Sequence, residues 1–286
     1  MPNLRDIKRR IRSVKNTQQI TKAMKLVSAS KLRKAQEAML RARPYALKTK
    51  DVMNSLAARC DKDQHPLLNT REVKKVLILL ITSDKGLCGG FNSYLIRKTN
   101  QLIKENEGNE ISFLFAGKKG NTFFQKKGFP VVGDYLGWTK SYTFDMSAEI
   151  AKKLTDVFLD EKADKVYIVY NEFKSVIQQT VIAQQLLPVV PGEVKENGQE
   201  VDYIYEPGQE GVLEQLLKMY VETLIHQSFL ESIASEHGAR MAAMDNASRN
   251  AKEMIGQLTL FYNKARQAYI TTELTEIVSG AESLKG

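Results

Sequence analysis

Helix breakers are confined to the middle of this 286-residue chain, and their placement constrains the fold more than any motif does. No glycine precedes Gly86, and no proline lies between Pro2 and Pro44. Thirteen of the 17 glycines and four of the seven prolines fall within residues 86–211. Beyond Gly211 only Gly238, Gly256, Gly280 and Gly286 remain, with no proline. Inside a helix glycine costs about 1 kcal/mol and proline about 3 kcal/mol, so the pattern predicts helix, mixed domain, helix. The corresponding boundaries are 1–60, 61–211 and 212–286.

Apolar spacing supports both terminal helices. Leu4, Ile7, Ile11 and Val14 follow the 3-4-3 spacing of a coiled-coil seam. Thr17, Gln18 and Thr21 interrupt it, and the pattern predicts a shifted register through Ile20, Met24 and Val27, then Ala35, Ala38 and Ala42. Pro44 is expected to kink the helix. Near the other end, Ala251, Ile255, Leu258, Tyr262, Ala265 and Tyr269 make a second seam, below a wider stripe at Leu213, Leu216, Leu217, Tyr220 and Leu224. At 1.5 Å per residue these helices would be roughly 85 and 100 Å long, far beyond those of a compact domain. Such seams need burial, so the two helices are expected to pair as an antiparallel coiled coil. The last one, being longer, should project past the start of the first.

Between them the chain alternates strands and helices. Val76–Ser83 is a continuous aliphatic run suited to a central strand buried on both faces. Ile111–Ala116 and Lys165–Phe173 read as further strands, with Pro130–Val132 and Asp202–Tyr205 as weaker ones. Helices are expected over Ser93–Glu105, Asn121–Lys127 and Ala148–Leu159, and Val176–Leu187 is rich in β-formers. The fold class is α/β: a Rossmann-like mixed or parallel sheet inserted between the two long terminal helices.

That outline invites a nucleotide site, but the residues do not support one. Gly86, Gly89 and Gly90 follow a strand without G-x-G-x-x-G or a Walker lysine, and Gly117-Lys-Lys-Gly120 also has the wrong spacing. These glycines read as tight turns, with Ser83 or Asp84 ordering the first and Asn92 capping the helix after it. His226 and His237 are expected to be ordinary core or surface histidines, Glu273 and Glu276 a solvated face, and Trp138 a packing residue. Cys60 and Cys88 are too few for a disulfide scaffold or a zinc centre. No catalytic, cofactor or metal residues are assigned. No apolar run reaches the ~18 residues of a membrane span, and the opening MPNLRDIKRR reads as lacking a secretory signal.

Charge is segregated. Residues 1–60 carry 16 Lys/Arg against 3 Asp/Glu, whereas 61–211 carry 19 against 21 and 212–286 carry 7 against 9. All of the net +9 therefore lies on the first helix, which suits an anionic partner. An RNA-binding arm is one alternative, disfavoured by the scarcity of aromatics before Tyr45. A nucleotide-dependent enzyme built on the sheet is another.

Ile270-Thr-Thr-Glu-Leu-Thr-Glu-Ile-Val-Ser-Gly-Ala-Glu-Ser283 closely resembles the C-terminal signature of the γ-subunit family of F-type ATP synthases. The stretch Asn16–Lys31, the turn Ser83–Asn92, Tyr203–Pro207 and Ala239–Met244 resemble other segments of that family in the same order. The resemblance covers the whole chain and lacks the dithiol insertion of the light-regulated chloroplast form. It implies a non-catalytic central rotor shaft turning inside an α3β3 ring, with the ε subunit and the membrane c-ring as further partners. One copy per complex, no nucleic acid, and a peripheral place on the cytoplasmic face of the bacterial membrane are implied with it. By position, Met24, Lys25 and Arg240 match residues facing the catch loop of a β subunit, and Gln267, Thr271, Glu273 and Glu276 match polar contacts higher on the shaft. Tyr203, Tyr205 and Glu206 match the segment that touches ε and the c-ring.

Overall fold

A computed structural model describes residues 3–57, 65–140, 142–176, 178–190 and 209–284. Its elements are α1 (Leu4–Ala57), β1 (Lys75–Ile81), α2 (Phe91–Glu105), β2 (Glu110–Ala116), α3 (Lys118–Gln125) and β3 (Val131–Tyr135), followed by α4 (Phe144–Leu159), β4 (Lys165–Phe173), β5 (Gln179–Leu187) and α5 (Gln209–Ser283). Two compact units emerge: Met1–Ser28 with Met241–Gly286, and Ala29–Arg240.

The larger unit is built on a five-stranded sheet of order β3-β2-β1-β4-β5. Its first four strands are parallel, and β5 runs antiparallel to β4. β1 lies at the centre, which explains why Val76 to Ile81 are apolar without alternation. Odd-numbered Leu77, Leu79 and Ile81 face α4, through Ile150, Leu154 and Phe158, and α5, through Leu217, Val221, Ile225 and Phe229. Even-numbered Val76, Ile78 and Leu80 face Phe91, Leu95 and Leu102 of α2 and Phe124 of α3. The period of two along a strand thus sorts one run into two cores. Phe113 stacks on Phe115 at 5.0 Å and on Phe124 at 4.8 Å, and each such side chain contributes about 2–3 kcal/mol of burial.

Several boundaries differ from the sequence expectation, each for a local reason. α2 begins at Phe91 after Gly90, and Asn92 does not cap it. Its amide instead reaches back to the strand end, accepting from the Ser83 N–H at 3.1 Å and donating to Ser83 Oγ at 2.8 Å. α3 starts three residues earlier than its apolar pattern suggests, because Thr82 Oγ1 accepts the Gly120 N–H at 3.0 Å. α1 continues through Pro44, whose neighbours Arg43 and Tyr45 are exposed. The Leu40 carbonyl that loses a donor there can turn to water. The expected strand at Asp202–Tyr205 lies outside the described residues.

The smaller unit is an antiparallel helix pair, shown by Gln18 Nε2 donating to Ser248 O (3.4 Å) and Lys25 Nζ to Asp245 Oδ1 (2.6 Å). The register shift expected after Val14 does not occur. Buried and half-buried positions continue at 3-4 spacing through Gln18, Thr21, Lys25 and Ser28, while Ile20 and Val27 are 59% and 57% exposed. Hydrogen bonds keep Gln18, Thr21 and Lys25 in the seam, with Thr21 Oγ1 donating to Gln18 O at 3.0 Å, so chemistry changes along it while geometry does not. Opposite, Met244, Ser248, Ala251, Ile255, Leu258, Tyr262 and Ala265 form the partner seam. Tyr269 is exposed rather than inside it, because the start of α1 meets α5 near Ala265 and Ala268. Residues 266–284 are exposed throughout. No described helix is long and apolar enough to cross a membrane.

Candidate functional site

In an open parallel sheet, ligands bind beyond the carboxyl ends of the strands where the strand order reverses. Here that place lies between β1 and β4, and side chains of α5 occupy it. Ser235 Oγ donates to Asn171 O at the end of β4 (3.2 Å), and Ala239 joins the core around Phe91 and Cys88. A Cβ built on Gly238 would meet the Phe173 ring at 3.3 Å, so a small residue lets the helix approach. The nucleotide crevice of a dinucleotide-binding cousin is filled by this chain's own helix.

A buried charge cluster caps that contact. Arg240 donates to Glu236 Oε1 at 2.6 Å, one helical turn away, and to the carbonyls of Lys85 and Gly86 at 3.4 and 3.3 Å. Its other nitrogen lies 3.3 Å from His237 Nδ1. The loop it grips is ordered from below as well. Ser83 Oγ donates to Lys85 O at 2.6 Å, while Asp84 accepts the N–H groups of Lys118 and Gly137 and the Thr139 hydroxyl. Ser83 and Asp84 therefore both order the turn, as the sequence predicts. The loop presents Leu87 outward at φ 63° and turns Cys88 inward.

Burial pushes the Glu236 carboxyl above its usual range, with Arg240 opposing. Burial, aided by Arg240 and Lys31, pushes His237 down from 6.5 to about 4. A neutral imidazole, with Nδ1 free to accept from Arg240, is the form this geometry holds. The unfolded chain binds that proton more tightly, so His237 makes stability fall as pH drops through the window from 6.5 to about 4. Relative to His237→Gln, the wild-type chain should lose up to about 3 kcal/mol across that window and nothing above it. Urea unfolding of both chains against pH measures this. His226 is a different case: its Nδ1 lies 2.7 Å from the Tyr142 hydroxyl, in an aromatic group with Phe229 and Trp138. Trp138 is the packing residue expected, and also donates to Thr82 O at 3.2 Å.

The residues matched by position are thus distributed. Met24 and Lys25 are half-buried on the smaller unit, where Lys25 is held by Asp245, and that bond holds the Asp245 carboxyl below its usual range. Gln267, Thr271, Glu273 and Glu276 are exposed on α5, with Thr271 Oγ1 bonding back to Gln267 O at 3.0 Å. Arg240 is buried in the larger unit. Tyr203, Tyr205 and Glu206 lie outside the described residues. Sequence reasoning missed Glu236 and Asp245. The i,i+4 spacing of Glu236 and Arg240 was a signal for the first; Asp245 carried none without the register of the helix pair. Among the described residues no three His, Cys, Asp or Glu side chains cluster as metal ligands.

Comparisons with known proteins agree with one another. The family model described as ATP synthase matches residues 3–284. A curated relative, the ATP synthase gamma chain of Geobacter sp. (strain M21), is 48% identical over 288 residues and covers all of both chains. Among solved structures, the Tetrahymena thermophila mitochondrial ATP synthase central stalk and c-ring holds a chain with TM-score 0.60 and 28% identity, over 80% of this chain and 99% of that one. A chain of the Euglena gracilis mitochondrial assembly of OSCP, F1 and c-ring shares the fold, at TM-score 0.71 and 20% identity, over 98% of this chain and 94% of that one.

Proposed function

The chain belongs to the ATP synthase gamma-chain family, and on that premise we propose how its residues do the work of the rotor. It is the central-stalk subunit, coupling rotation to ATP synthesis or hydrolysis without a catalytic site of its own. The observation that carries this reading is the end of α5. Residues 266–284 are wholly exposed, yet include Tyr269, Ile270, Leu274, Ile277 and Val278. Apolar side chains repeated along an unpartnered helix end need an apolar surround. An α3β3 sleeve supplies it, and a largely apolar bearing leaves the helix free to turn.

Below that end the seam with α1 stiffens the shaft, and its exposed face carries the charge. Surface ion pairs are worth about 0–1 kcal/mol each, so Lys8, Arg9 and Arg12 attract stator carboxylates without locking rotation. Met24 and Lys25 face the catch loop of a β subunit, while Gln267, Thr271, Glu273 and Glu276 make polar contacts above it. Arg240, being buried, acts on that partner through the Lys85–Gly86 loop it holds. Tyr203, Tyr205 and Glu206 contact ε and the c-ring. The subunit works as one copy, peripheral to the cytoplasmic face of the bacterial membrane.

Two measurements test this. The chain should co-purify as one copy with three copies each of two larger nucleotide-binding chains, and any other stoichiometry refutes the assembly. Reversing Lys8, Arg9 and Arg12 together should lower the ATPase of the reassembled complex severalfold at low salt and flatten its salt dependence. An unchanged profile would refute the electrostatic part.

A further inference from the structure

The larger unit carries further basic residues, on elements other than α1. From residue 91 to 104 α2 bears Arg97, Lys98 and Lys104, and no acid before Glu105. From 117 to 133 the α3 segment bears Lys118, Lys119, Lys126 and Lys127, and no acid before Asp134. Both helices cover the same face of the sheet through Leu95, Leu102 and Phe124. They are tied edge to edge by Lys127 Nζ donating to Asn100 Oδ1 at 3.0 Å. Among the described residues none of these seven cations has a carboxylate within 4.0 Å, whereas Lys74, Lys162 and Lys174 elsewhere on this unit do. Seven cations thus lie on the two helices that cover this face, none held in an ion pair, on a segment that is net acidic overall.

We propose that the α2–α3 face docks on the anionic headgroups of a phospholipid bilayer. Charge selects an anionic partner, and the aromatics narrow the class. Tyr94 and Phe123 are the exposed rings of the face, and each already has a cation of this chain over it, Arg97 at 5.8 Å and Lys127 at 4.7 Å. Nucleic-acid binding by stacking needs open rings, so phosphate without base is the better fit. A lipid surface also imposes no register: each Lys or Arg near it is attracted without a fixed partner and the field decays within a Debye length. A rotor foot can glide over such a surface. The inference takes only the nearness of a bilayer from the rotor reading.

The test sediments the purified full-length chain with vesicles of phosphatidylcholine, with and without phosphatidylglycerol, at low and high salt. Two variants run alongside: Lys118→Glu, Lys119→Glu, Lys126→Glu and Lys127→Glu together, and Lys8→Glu, Arg9→Glu and Arg12→Glu together. The wild type should prefer phosphatidylglycerol vesicles and release them in high salt. The α3 variant should partition at least ~100-fold less, while the α1 variant keeps a preference that high salt removes. Circular dichroism checks folding, and if the Glu set unfolds, Gln at the same four positions should read a smaller loss of the same sign. Equal binding of wild type and α3 variant overturns the proposal, as does preference for a single-stranded oligonucleotide or polyglutamate over the vesicles at matched salt. Assembly with the catalytic subunits is scored separately, so a negative here leaves the rotor reading standing.

Discussion

Arg240→Ala is expected to destabilise the larger unit by about 3–5 kcal/mol, the usual cost of leaving one member of a buried ion pair alone. Glu236 is buried, and its carboxyl already sits above the usual range, with Arg240 the main group holding it down. Removing the guanidinium also strips a donor from the Lys85 and Gly86 carbonyls. Leu87, held at a positive φ, then loses the loop that fixes it. The double variant Glu236→Gln with Arg240→Met should cost less than Arg240→Ala alone, since no buried charge is stranded. Urea unfolding of the full chain reads both. If the single variant costs under about 1 kcal/mol, the cluster is solvated and the account of it fails.

The contrast between α1 and this cluster shows what a sequence discloses. Absence of breakers over 3–43 disclosed a helix, because breaker cost is a property of single residues. The register of its seam was not legible past Val14. Reading hydrophobicity favoured Ile20 and Val27, but the seam follows the partner helix: α5 offers Ser248 to Gln18 and Asp245 to Lys25, and Thr21 bonds back to Gln18 O. The central strand and Lys165–Phe173 were legible for the same reason as the helix: a run of β-branched and aliphatic residues is local evidence. Asn92 was misread as a cap since its real partner, Ser83, approaches only when β1 and α2 are in place.

The candidate site divides in the same way. Arg240 was found by resemblance, which implied that it faces a partner. Burial depends on a helix of one segment entering the reversal point of a sheet made by another, which no local pattern encodes. The exposed set on α5 is simpler: Gln267, Thr271, Glu273 and Glu276 stay in solvent because α1 begins near Ala265, so helix length alone decides it.

Gly117→Ala is expected to be a severely damaging single methyl. Gly117 joins β2 to α3 at φ 99° and ψ 147°, a region close to glycine-only. A Cβ there would stand 2.0 Å from the carbonyl oxygen of Thr82, which is backbone at the end of β1 and cannot swing aside. Gly108 supplies the control, with φ 98° and nothing within 4 Å of the same methyl. Gly108→Ala should cost only the backbone strain, about 1–2 kcal/mol. Gly117→Ala must also push β1 and α3 apart, so it should exceed Gly108→Ala by more than about 2 kcal/mol or prevent folding. The difference between the two alanine variants isolates close approach from strain. It also decides what the glycines of Gly117-Lys-Lys-Gly120 are for. At Gly120 an added Cβ would meet Leu80 and Thr82 side chains at 3.0 Å, so both glycines bring α3 down onto the strand rather than cradle a phosphate. Equal costs at 108 and 117 would remove that explanation.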